Sequence, residues 1–119
     1  LIGVENASTS VHFNSEGDLE KAMPCADAPF KNLMSHDPSH RRSEVLGKTD
    51  INLTLSGHTH AMQFSLFGFS PVSMMYKEYR GLYTEGGQSL YVNIGAGETG
   101  PLFRIGTPPE VTVFTLKSK

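Results

Sequence analysis

The chain has 119 residues, 38% of them apolar, with 12 glycines and 7 prolines. This is enough for one domain with a modest core, and it favours short strands, turns and loops over a helical bundle. With 10 Lys plus Arg against 12 Asp plus Glu, the net charge is −2 and no basic face stands out, so nucleic-acid binding has no electrostatic support.

The opening "LIGVEN" reads as a strand. It lacks an initiator Met, as expected of a piece of a longer protein, and no basic-then-apolar leader follows, so the sequence leaves the parent's location open. "ASTSVHFNSEG" reads as a loop with an extended piece at Val11 to Phe13. "DLEKAM" places Leu19, Ala22 and Met23 at helical spacing, with Asp18 as N-cap and Pro24 as the stop. "MPCADAP" reads as a loop. Its Cys25 is the only cysteine, which excludes an internal disulfide, and it reads as an inert small residue rather than a catalytic thiol. "FKNLMS" (30–35) reads as a strand with a buried end at Leu33 and Met34.

In "HDPSHRRSEVLGKTD", Asp37 before Pro38 gives an N-cap followed by proline at the first helical position. Gly47 suits the stop of a short helix over 38–46, anchored by Val45 and Leu46. "INLTLS" (51–56) alternates apolar and polar residues, the period of a strand, and Gly57 ends it. "AMQFSLFGFSPVSMMYKEY" (61–79) has no clean period and reads as an irregular loop packed beside the preceding residues, with Pro71 in a turn. A hairpin follows, with strands at 82–84 and 90–93 and Gly86-Gly87 in the turn. "IGAGETGPLFRIGTPP" reads as a glycine-rich surface loop and "EVTVFTLK" (110–117) as a final strand. No run of 18 apolar residues is present, so no stretch of this chain is suited to span a membrane as a helix. The pattern is that of an α/β sandwich, or part of one, with a mixed sheet and short helices.

The five histidines stand at 12, 36, 40, 58 and 60. His36 follows one strand-like run, and His58 and His60 follow another. The C-terminal ends of strands are where ligand sites gather in open α/β sheets. In "GHTH" the two histidines are two apart, so in an extended segment both rings face the same way, and Gly57 permits a close backbone turn. Neutral imidazole is a common ligand for transition metals. A His-x-His pair holds one ion, or lends one ring to each ion of a pair about 3.5–4 Å apart, an arrangement suited to phosphate esters. By spacing alone, satisfied loop histidines remain as good a reading. His40 reads as a solvent-facing residue in the first turn of a helix and His12 as a surface residue. Asp37 reads as a helix cap with no further role, and no carboxylate stands out as a bridge between two metals.

At these residues the sequence resembles the calcineurin-like metallophosphoesterases. "LMSHDPSH" resembles the family's penultimate metal motif, and "LTLSGHTHAMQF" resembles its last, Gly-His-x-His. The segment from "YRGLYTEGG" to "PPEVTVFTL" is similar to the tail of a bacterial branch of predicted phosphohydrolases, several of them membrane-anchored, and the resemblance covers residues 1–119. It implies a two-sheet α/β sandwich with His36 and His58 as ligands of a second metal and His60 as a ligand of a first. It also implies two divalent ions in the parent (Mn, Fe, Zn or Ni) and a phosphate-ester substrate attacked by a metal-activated water. Ala61 stands where many relatives have a second glycine. The earlier motifs of the family, Asp-x-His, Gly-Asp-x-x-Asp and Gly-Asn-His-Asp, do not occur. The chain thus resembles the C-terminal portion of the domain, holds no catalytic residue of its own, and is expected to be inactive alone and to self-associate through strand edges and apolar surface left uncovered. The competing reading is a stand-alone module binding a single metal through His36, His58 and His60. A metal-free interaction domain using "MQFSLFGFSPVSMMY" is the third.

Overall fold

The computed structural model describes residues 1–12 and 15–117. Five strands build one sheet: β1 (Ile2–Gly3), β2 (Asn32–Met34), β3 (Leu53–Ser56), β4 (Gly81–Glu85) and β5 (Gln88–Val92). Their order is β1-β2-β3-β5-β4. β1, β2, β3 and β5 run parallel, and β4 is antiparallel to β5. The α/β class with a mixed sheet and short helices expected from the sequence is what forms. The β4–β5 hairpin closes through Gly86 and Gly87, both at positive φ (61° and 79°), the backbone that a two-residue turn matched to strand twist demands.

β3 is central, with parallel neighbours on both sides. That position explains its burial. Alternation in "INLTLS" suggests one wet face, yet Thr54 is 1% exposed while Leu55 is only partly covered. Strand β2 alternates more simply: Leu33 is fully buried and Met34 is 51% exposed, so the expected buried end at Met34 is wrong, because neighbours on a strand face opposite sides.

Asp18 caps the single α-helical turn, α1 (Leu19–Ala22), by accepting from the Lys21 N–H at 3.0 Å. Met23–Cys25, within the stretch read as a loop, continues as a 3₁₀ turn. The β2–β3 crossover carries a π-helical turn at Arg41–Val45, closed by Leu46 N–H to Arg41 C=O at 2.8 Å. Ile2, Leu19, Leu33, Val45 and Ile51 form the main core beside the sheet. A second cluster joins Ala61, Val72 and Ile94, with Tyr76 and Tyr79 packed against it.

Residues 60–79 contain a left-handed turn at His60–Gln63 and a 3₁₀ turn at Pro71–Met74, the latter started by Pro71 as expected. The stretch 111–117 forms no strand. It is tied to β5 by side chains instead: Asn93 Nδ2 donates to Thr112 Oγ1 at 3.0 Å, and Phe114 meets Tyr91 edge-on at 5.1 Å. The extended piece expected at Val11 to Phe13 reaches outside the described residues, and Val11 and His12 lie in a turn.

Candidate metal centre

Both histidine motifs leave the sheet at the same edge. His36 comes two residues after β2 and His58 two residues after β3. The motifs are stitched together by Ser35 N–H to Leu55 C=O and Gly57 N–H to His36 C=O, each 3.0 Å. The turn itself is not made by Gly57. Positive φ falls on His58 (69°) and then on four consecutive residues, His60, Ala61, Met62 and Gln63 (47° to 55°). Each costs a non-glycine residue roughly 1–2 kcal/mol, so the surroundings must hold them. Ala61, at φ 48° and fully buried, occupies the position where glycine would be free of that cost.

This backbone brings His58 Nδ1 to 3.0 Å from His36 Nε2, with the rings edge-on at 4.9 Å. Two nitrogens bound to one ion at about 2.0–2.1 Å lie roughly 2.9–3.4 Å apart, according to coordination geometry. The separation falls in the range of two adjacent ligand positions on a single metal. His60 is placed elsewhere. Its Nδ1 is 3.3 Å from Arg104 Nη2 and its Nε2 is 3.3 Å from Thr99 Oγ1. Among the described residues no three His, Cys, Asp or Glu side chains converge on one ion.

Burial, above all, lowers the pKa of His58, with His36 and His60 adding to it and Asp37 opposing. His60 is lowered by burial and then by Arg104 and His36. Both rings are thus kept neutral, the form that binds metals.

The sequence reading missed three participants. Asp37 does cap, accepting from Ser39 N–H at 2.8 Å through Oδ1. It is also fully buried, and its Oδ2 accepts from Ser8 Oγ and, at 3.4 Å, from Tyr76 OH, with His58 Nε2 3.9 Å away. Burial pushes its pKa up, but the Ser8 and Ser39 hydrogen bonds and the nearby His58 outweigh this and hold it below the usual carboxylate value. Gln63 and Arg104 fasten the glycine-rich loop. Gln63 Nε2 donates to Thr99 and Pro101 carbonyls at 3.1 and 2.9 Å. Arg104 donates to the carbonyls of Ile94 (3.0 Å), Gly97 and Thr107 (both 3.2 Å). Position directly after a motif histidine, His36, was a signal for Asp37. Gln63 and Arg104 act across 36 to 44 residues and had none.

His12 is exposed, as expected. His40 is not solvent-facing: it is 1% exposed, with Nδ1 2.7 Å from Ser35 Oγ and Nε2 3.0 Å from Glu44. Its ring is held inward between Ser35, just past the end of β2, and Glu44 on the following turn.

The chain is 39% identical over 110 residues to the uncharacterized metallophosphoesterase YkuE of Bacillus subtilis, a match covering 87% of this chain and 35% of that protein. It is 32% identical over 123 residues to the "Transmembrane protein with metallophosphoesterase domain" of Bos taurus, covering 99% of this chain and 27% of that one. An uncharacterized metallophosphoesterase of Campylobacter jejuni is 38% identical over 88 residues, 73% of this chain and 23% of its own. The chain belongs to the metallophosphoesterase superfamily. No protein-family model and no solved structure matches it. The chain spans about a third or less of the length of these metallophosphoesterases. Among its described residues no helix is long and apolar enough to cross a membrane.

Proposed function

We propose that this chain is the C-terminal portion of a dinuclear, metal-dependent phosphoesterase domain. In this reading His36 and His58 share one divalent ion and His60 serves the other. The observation that carries it is the 3.0 Å approach of His36 Nε2 to His58 Nδ1 at the ends of two adjacent parallel strands. Bound metals would supply charge stabilisation for a phosphoryl group and a lowered water pKa. The chain's own residues hold neutral rings in place. Gln63 and Arg104 keep the 95–104 loop against His60. A bridging carboxylate and the remaining ligands are left to other residues of the parent, so the isolated chain is inactive on phosphate esters. The parent's membrane association, which the name of the bovine relative motivates, belongs to the same reading.

The single-metal module has less support, because His60 turns toward Arg104 and Thr99 while His36 and His58 face each other. Titration of the chain with Zn²⁺ or Mn²⁺ tests the proposal, using His36→Ala, His58→Ala and His60→Ala. Loss of the tightest site in the first two but not the third is expected. Equal loss in all three favours the single-metal module, and no binding by the unaltered chain overturns both. A phosphodiester assay of the chain with manganese should give no turnover.

A further inference from the structure

We infer that Asp37 is a positioning residue for His58, fixing the proton on Nε2 so that the Nδ1 lone pair faces His36. The inference rests on the reading of His58 as a ligand. A helix cap needs one carboxylate oxygen and no burial, and Oδ1 alone performs that task here. Oδ2 lies on the opposite side of a fully buried group, and the groups that meet it are hydrogen donors or the His58 ring: Ser8 Oγ, Tyr76 OH and His58 Nε2 at 3.9 Å. Tyr76 also meets the His58 ring edge-on, with centroids 5.7 Å apart, and so restricts its rotation. A buried carboxylate without such donors is strongly disfavoured, so the cluster is arranged around negative charge.

A negative charge beside Nε2 favours a proton on that nitrogen. Neutral imidazole carries only one, so Nδ1 is left as the acceptor. Nδ1 is the atom 3.0 Å from His36 Nε2. At 3.9 Å Asp37 acts on Nε2 by its charge rather than through a hydrogen bond, in the sense of the carboxylate–histidine pairs that orient metal-binding rings. The left-handed backbone of His58 (φ 69°) brings the ring between its two partners.

The experiment uses the 119-residue chain with ¹⁵N-labelled histidine. Long-range ¹H–¹⁵N spectra, taken at a pH where the ring is neutral, report which nitrogen carries the proton. The unaltered chain should show His58 protonated on Nε2; protonation on Nδ1 overturns the inference without any variant. Asp37→Asn keeps an oxygen for the cap but turns an amide donor toward Nε2. It should move the His58 proton to Nδ1 and weaken Zn²⁺ binding about 10–100-fold. Ser8→Ala, which leaves the carboxylate in place, should keep the Nε2 proton. An unchanged tautomer and Zn²⁺ affinity in folded Asp37→Asn overturn the inference while leaving the proposed function standing. Absence of Zn²⁺ binding by the unaltered chain overturns the proposed function, and the tautomer measurement still decides the role of Asp37.

Discussion

Gln63 and Thr99 bond to each other twice: the Gln63 amide donates to the Thr99 carbonyl at 3.1 Å and accepts from the Thr99 N–H. The pair reaches across 36 residues and joins the histidine turn to the glycine-rich loop. Gln63 is buried while Thr99 and Pro101 are exposed, so truncating it opens these bonds to water rather than stranding both sides of them. Gln63→Ala should cost about 1–2 kcal/mol, the net worth of hydrogen bonds that water can partly replace. Hydrogen exchange should show Thr99 losing protection; a Thr99 amide unchanged in rate would refute the coupling.

Gly95 sits at φ 83°, and a Cβ there would lie 3.0 Å from His60 Cε1. Gly95→Ala is expected to cost roughly 1–2 kcal/mol through its backbone and to push the His60 ring aside. Imidazole NMR signals should shift for His60 and stay in place for His36 and His58. Displacement of all three would mean that the histidines move as one unit.

Arg41 and Glu78 pair inside the protein at 3.1 Å, with side chains 1% and 5% exposed. Arg42 binds the same carboxylate, at 2.7 Å. Glu78→Ala leaves the buried Arg41 guanidinium with only the exposed Glu85 carboxylate, at 4.0 Å, and should destabilise by about 3 kcal/mol, the low end for a broken buried pair. Combining it with Arg41→Met should recover part of that loss. Additive losses in denaturant midpoints would contradict the pairing.

Acid should unfold the chain in two stages. His58 and His60 have pKa values held below the ordinary 6.5, chiefly by burial. The unfolded chain therefore binds more protons as pH falls, and stability rises with pH. This contribution is complete above 6.5 and is lost as pH falls through the lowered folded values. Asp37, held below its ordinary 3.8, adds a second loss below that value. Urea midpoints that stay level from about pH 7 to 5 would contradict the first stage.

At high pH the sign reverses. The Tyr76 phenol is pushed up to about 12, first by burial and then by the charge and hydrogen bond of Asp37. A raised pKa gives stability that is whole below 10 and disappears as pH climbs to 12. Because Tyr76 is partly exposed, the contribution should be on the order of 1 kcal/mol. Spectroscopic titration of phenolate in the unaltered chain and in Tyr76→Phe would isolate it.

The hairpin at Gly86-Gly87, the central strand and the placement of His36 and His58 after strands were all legible, because each depends on residues within a few positions. Burial of His40 was not, since it depends on how its helical turn packs onto the end of β2, where Ser35 meets its ring, and not on spacing within the turn. Asp37 showed its cap but not its second oxygen's neighbours, Ser8 and Tyr76, 29 and 39 residues away. The segment 110–117 has the composition of a strand and lacks a strand partner among the described residues; Val111, Val113 and Leu116 are left exposed. These side chains should make the chain self-associate, and light scattering showing a monomer at high concentration would exclude it.

The left-handed turn from His60 to Gln63 also bears on the order in which the molecule comes together. Four L-residues in succession do not choose that hand unaided. The bonds of Gln63 to residues 99 and 101, and of Ser70 Oγ to the Ala61 carbonyl, are among the contacts that hold it. During synthesis, His60 emerges 39 residues ahead of Thr99, so the nascent chain carries its histidines long before it can set them. Setting His60 against Thr99 and Arg104 therefore requires residues that lie 39 and 44 positions further along the chain.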